Sequence, residues 1–99
     1  MPSTGRHYVL FYDYVEDIAQ RRGPHREAHL AHLGRWRDEG RLVLGGAVGE
    51  PLHGGMIVFR VDDPEEVEAF VTGDPYVQNG LVASHRTEPW NVVSKFSGA

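Results

Sequence analysis

Two short segments, HYVLFYD at residues 7–13 and MIVFRV at residues 56–61, are apolar on both faces of an extended chain. In the first, Tyr8, Leu10 and Tyr12 alternate with Val9 and Phe11, so a strand built from it shows large side chains to both sides of its sheet. Such strands are stable only when both faces are covered, which predicts a central place for each of them in a sheet. Any fold open to this chain must seat these two strands inside a sheet and bury apolar groups on either side of it.

The remaining segments supply the partners. RLVLGGAV (residues 41–48) reads as a strand in which Gly45 and Gly46 allow a bulge or a close backbone approach. The turn residues GEPLHGG join it to MIVFRV, which predicts an antiparallel hairpin. A last strand lies in SHRTEPWNVV (residues 84–93), and Pro89, lacking an amide donor, assigns it to an edge or a bulge. YVEDIAQRR is a polar connection holding about one helical turn. Gly23-Pro24 then opens a helix with proline at its first position, running to about Glu39 with Gly40 as the left-handed terminator. Steps of 100° place Leu30, Leu33 and Trp36 on its buried face. In DDPEEVEAFVTGDP, Asp63 caps a second helix, Pro64 starts it, Glu66 completes a capping box and Gly73 ends it, with Val67, Phe70 and Val71 as the buried stripe. The order βαββαβ predicts an α+β fold, a ferredoxin-like four-stranded antiparallel sheet with its first and third strands at the centre.

Two helices cover one face of such a sheet and leave the other bare. Large apolar groups on the bare face predict a homodimer packed sheet against sheet, with a cavity between sheet, loops and helices. With 99 residues the chain has room for one domain, 1–99, whose core spans about 7–93 between short flexible termini. Its net charge of −4, ten basic against fourteen acidic side chains, with the basic groups interleaved with acids, argues against a nucleic-acid partner. Zero cysteines exclude disulfides, thiolate metal sites and cysteine nucleophiles. The longest apolar runs fall far short of the ~20 residues that a membrane helix needs, and MPSTGRH has no apolar signal core. The expectation is a cytoplasmic protein with no membrane partner.

HREAHLAHL (residues 25–33) brings His25, His29 and His32 together at helical spacing. The glutamate of the H-E-x-x-H zinc pattern is missing and no further ligands complete a site, so no metal is expected. His25 and His32 fall at the margin of the apolar face and read as surface histidines. His29 falls inside that face, where both ring nitrogens need partners. Spacing alone favours a core histidine held by a backbone carbonyl; a functional histidine needs an orienting carboxylate instead. Asp74 in TGDPY is a candidate for it, and is equally a turn-initiating aspartate before proline.

These stretches together, REAHLAHL, DEGRLVLGG, GDPYVQNGL and EPWNVV in this order, resemble the YciI-like (YCII-related) family of small dimeric α/β-barrel proteins, from about His7 to Val93. The resemblance implies a dyad made by the histidine of R-x-x-H-L and the aspartate of D-P-Y, here His29 and Asp74. It leaves His25 and His32 outside the motif. It implies a ferredoxin-like fold dimerising through its sheets, and a dehydrochlorinase-like lyase activity in one branch only. The GGAVGEPLHGG hairpin departs from the family's usual form, so the shape of the pocket, and with it the substrate, stays open.

Two functions of different kinds follow. The first is an enzyme that uses general acid–base chemistry, of lyase, isomerase or hydrolase type, on a small cyclic or aromatic molecule without a cofactor. His29 would transfer the proton and Asp74 orient it, while Arg26, Gly46, Tyr76 and Trp90 are candidates to bind the substrate. The second is a non-catalytic ligand-binding or regulatory module using the same cavity. A weaker third option is a haem or quinol-type monooxygenase, as in related dimeric barrels. An accessible pocket at His29 and Asp74 would favour the enzyme, and a sealed core histidine the module.

Overall fold

The computed structural model describes residues 5–94. The elements run β1 (Arg6–Tyr14), α1 (Ile18–Arg21), α2 (Gly23–Asp38), β2 (Leu42–Val48), β3 (Gly54–Val61), α3 (Pro64–Gly73), α4 (Pro75–Gln78) and β4 (Val82–Pro89). All neighbouring strands are antiparallel in the order β2-β3-β1-β4. The fold is ferredoxin-like α+β, and the two doubly apolar strands are the central pair. The expected flexible termini lie largely outside the described residues. Among the described residues no helix is long and apolar enough to cross a membrane.

The helix-side face of β1 carries Tyr8, Leu10 and Tyr12, which join Ile57, Phe59 and Val61 of β3 in the main core. Val67, Phe70 and Val71 of α3 and Trp36 of α2 close over them. Trp36, Phe59 and Phe70 meet edge to face with ring centroids 5.0–5.8 Å apart, an arrangement that matches positive ring edges to negative faces. Phe59 and Phe70 are fully buried, so each contributes about 1.5–3 kcal/mol of transfer free energy. The Arg41 guanidinium lies 3.6 Å above the Trp36 ring and seals the edge of this cluster.

On the opposite face, Val9 pairs with Val58, and Phe11 with Met56 and Arg86. The Arg86 guanidinium covers the Phe11 ring at 4.1 Å. Leu44, level with Val58, is 59% exposed.

Three local details differ from the expectation. The face that α2 buries is His29, His32 and Trp36, whereas Leu30 is 46% exposed and Leu33 only partly buried. The Asp63 side chain caps α3 by accepting from the Glu65 amide, but Glu66 reaches back to the amide of Asp62, one residue earlier than a capping box requires. The turn expected after Asp74 is the one-turn helix α4, capped by Asp74 itself.

Candidate active site

Asp74 stands between two helices, following α3 directly and preceding Pro75 at the start of α4. Its φ of −76° and ψ of 121° break the helix, as the following proline demands. Its side chain is fully buried. A buried carboxylate needs donors at both oxygens, and three are present. Oδ1 accepts from the Tyr76 amide at 2.9 Å and from Nδ1 of His29 at 2.8 Å. Oδ2 accepts from the Tyr12 hydroxyl at 2.8 Å.

The Tyr76 amide can only donate, and its bond to Oδ1 is the N-cap of α4. Because the carboxylate accepts, Nδ1 of His29 carries the hydrogen and Nε2 carries the lone pair. Among the described residues Nε2 has no hydrogen-bond partner. The His29 ring lies flat on that of Tyr76, 3.7 Å between centroids and 3° between planes. One ring nitrogen and one ring face are thus fixed, which sets the direction of the other nitrogen.

His29 lines a cavity of about 240 Å³ with Tyr14, Arg22, Arg26, Tyr76 and the Gly45–Ala47 stretch of β2. That volume suits a small ligand. Larger grooves of about 320 and 430 Å³ lie on the opposite face of the sheet, and of the three only the smaller cavity is lined by His29. Asp74 is not among the lining residues; it acts from behind the imidazole. Burial, with the charge of Asp74 beside it, raises the Tyr12 phenol far above the usual tyrosine range, and burial together with Tyr76 does the same at Tyr14. Both hydroxyls therefore keep their protons through the neutral range, and that of Tyr12 donates to Asp74.

Of the residues expected to bind substrate, Arg26, Gly46 and Tyr76 do gather around His29. Trp90 does not. It borders the grooves of the opposite face, because its amide bonds to the carbonyl of His7 at the far end of β1. The reading of His32 as a surface histidine is also corrected. It is buried, its Nε2 donates to the Phe70 carbonyl at 2.9 Å, and its ring packs 4.5 Å from that of Phe70. The core histidine held by a carbonyl exists, but it is His32, while His29 has the carboxylate. His25 is half-buried and takes no part. Among the described residues no three His, Asp or Glu side chains converge as a metal site.

Tyr12, Tyr14 and Arg22 were not singled out from the sequence. The available signal was the position of the two tyrosines near the end of β1, since a phenol on a buried face must find a partner for its hydroxyl.

Protein YciI of Escherichia coli O6:H1 and that of Shigella flexneri are each 28% identical over 95 residues, spanning 87% of this chain and 97% of the relative. The structure of the 5-chloro-2-hydroxyhydroquinone dehydrochlorinase TftG from Burkholderia phenoliruptrix, in complex with 2,5-dihydroxybenzoquinone, is similar with a TM-score of 0.73. It is 22% identical and the match covers 86% of this chain and 93% of that one. A dimeric ferredoxin-like protein from an uncultured marine organism is similar at TM-score 0.51 and 17% identity, covering 95% and 92%. At these identities the two structures speak to the fold. The family model of the YCII-related domain matches residues 7–91, and with nearly the whole sheet and both long helices inside that match, the chain belongs to the YCII-related domain family.

Proposed function

We propose that this protein is an enzyme that moves a proton on a small molecule, with Nε2 of His29 as the general base or acid and Asp74 as the group that orients and charges it. One observation carries the reading: a histidine whose inner nitrogen is tied to a fully buried carboxylate at 2.8 Å lines an open cavity. When the imidazole takes up a proton, the charge it gains faces Asp74 across a charge-assisted hydrogen bond, which favours the imidazolium as it forms. Reactions of this kind, elimination, isomerisation or hydrolysis, call for no cofactor. That a structural neighbour is a dehydrochlorinase lends weight to elimination. An accessible histidine favours this over the purely ligand-binding alternative.

The reading includes a homodimer formed by the uncovered sheet faces, and one domain with its core at about 7–93. Support for the dimer comes from Leu44, Met56 and Trp90, which are 59%, 37% and 45% exposed on or beside that face, and from the dimeric neighbour.

The test is a turnover screen of hydroxylated and chlorinated hydroquinones, scored by product and by chloride release, on wild type and His29→Asn. A substrate turned over by wild type should lose about 10²–10⁴-fold in rate in the variant. Equal rates in the two proteins would remove His29 from the chemistry.

A further inference from the structure

The first turns of α2 carry a stripe that the acid–base reading uses only in part. Arg22 caps the helix, and Arg26, His29 and Leu33 follow at i+4, i+7 and i+11, which places all four on one side. All four line the His29 cavity.

Place, and not the want of a partner alone, sets the two arginines apart: among the described residues Arg6 and Arg60 are likewise without an ion pair, but they line no part of this cavity. Arg21, Arg37, Arg41 and Arg86 each meet a carboxylate. Among the described residues the guanidinium groups of Arg22 and Arg26 have neither a hydrogen bond nor an ion pair. The cavity they line contains no Asp or Glu, although acidic side chains outnumber basic ones in the chain by fourteen to ten. Besides His29, its other polar side chains are the phenols of Tyr14 and Tyr76, both held protonated, chiefly by burial. At Tyr76 the nearby Arg22 and Arg26 oppose that effect, so their positive fields reach inside the cavity. The one carboxylate of the site, Asp74, sits behind His29 with its three donors. A ligand therefore meets guanidinium and hydroxyl donors on one side and the apolar Leu33 and Ile57 on another.

We propose that the cavity binds a small organic anion, an apolar body bearing a carboxylate or an acidic phenolate, whose anionic oxygen is held by Arg22 and Arg26. Guanidinium forks match such oxygens in charge and in geometry. The two arginines select the charge of the ligand, and the hydrocarbon wall sets its size. That the held molecule is also a substrate rests on the acid–base reading of His29; its charge does not.

Equilibrium binding tests this without turnover. Benzoate is compared with benzamide, its neutral counterpart of the same shape, and 4-nitrophenol is titrated below and above its own ionisation. Calorimetry and amide chemical shifts report the binding. Benzoate should bind about tenfold or more tightly than benzamide, as expected where charge-assisted bonds replace neutral ones, and 4-nitrophenol should bind better once ionised. Arg22→Gln and Arg26→Gln should each weaken anion binding several-fold. The double variant should bind both members of the pair alike while keeping the wild-type melting temperature, and Arg26→Lys should retain part of the preference. His29→Asn should keep the preference, which separates this proposal from the catalytic one. Equal binding of benzoate and benzamide by wild type would overturn the proposal, as would failure of both anions to bind or an unchanged preference in the double variant. Anion-selective binding with no turnover of any substrate would leave it standing and count against the enzyme reading alone.

Discussion

Removing Asp74 should expose how the site is held together. Asp74→Ala leaves the Tyr12 hydroxyl, the Tyr76 amide and Nδ1 of His29 without their acceptor at a fully buried position. Each stranded donor costs about 1–3 kcal/mol, and part is relieved as the imidazole shifts its hydrogen, so a total of about 3–5 kcal/mol is expected. Domains of this kind are stable by about 5–15 kcal/mol, so the variant should be marginal. Tyr12→Phe removes one donor from a buried carboxylate and should cost about 1.5–3 kcal/mol. The two losses should not add. Once the carboxylate is gone, the Tyr12 hydroxyl is itself a stranded donor, and deleting it should cost close to nothing. The double variant should match Asp74→Ala, giving a coupling of about 1.5–3 kcal/mol, against the ~0.5 kcal/mol scatter of independent sites. Urea unfolding followed by circular dichroism and tryptophan fluorescence, at one protein concentration because association would add its own stability, measures all four proteins. Additive losses within that scatter would refute the network. Asp74→Asn provides the folded reference, since Oδ1 still accepts from His29 and Tyr76, and the Tyr12 hydroxyl can turn to accept from the new amide. It should lose turnover about 5- to 30-fold, the difference between a charge-assisted and a neutral hydrogen bond.

Other outcomes follow from the same contacts. Sedimentation equilibrium should give about twice the 11.1 kDa chain mass, and Leu44→Glu, already exposed in the single chain, should shift the protein to monomer without unfolding it; a monomeric wild type would contradict the sheet-to-sheet dimer. A Cβ at Gly73 would stand 2.9 Å from Cε1 of His32, so Gly73→Ala should cost about 1–3 kcal/mol through overpacking, and a neutral result would mean that α2 and α3 are not clamped there. The Tyr12 phenol titrates far higher when folded than its usual value of 10.0. Its contribution is complete below pH ~10 and is lost above it by up to about 1.4 kcal/mol per pH unit. The stability gap between wild type and Tyr12→Phe should therefore narrow as pH rises past 10, and curves that fall in parallel would refute this.

The architecture was legible because two segments can only be central strands, and because Gly-Pro and Asp-Asp-Pro announce both long helices. Of the candidate site, the two side chains His29 and Asp74 could be named from the sequence, but not the contacts that hold them. The buried face of α2 carries two histidines and a tryptophan while Leu30 points outward, so apolar spacing marks the wrong stripe. Which histidine meets a carbonyl and which a carboxylate depends on where α3 ends, since Phe70 and Asp74 stand one turn apart and each receives one of them. Tyr12 was visible only as an apolar group, because the acceptor for its hydroxyl is 62 residues away in sequence. Trp90 was misplaced for want of the strand register. Tyr8 opposite Pro89 sends residue 90 past the start of β1, whereas the cavity lies near its end at Tyr14.

The tautomer of His29 tests the central claim most directly. Long-range nitrogen–proton correlation on uniformly ¹⁵N-labelled protein, at mildly alkaline pH, distinguishes a protonated from an unprotonated ring nitrogen. His29 should carry its hydrogen on Nδ1, facing Asp74, with Nε2 bare, while His32 should carry its hydrogen on Nε2, facing the Phe70 carbonyl. A hydrogen on Nε2 of His29 would mean that Asp74 does not orient the ring, and would leave the cavity without its base.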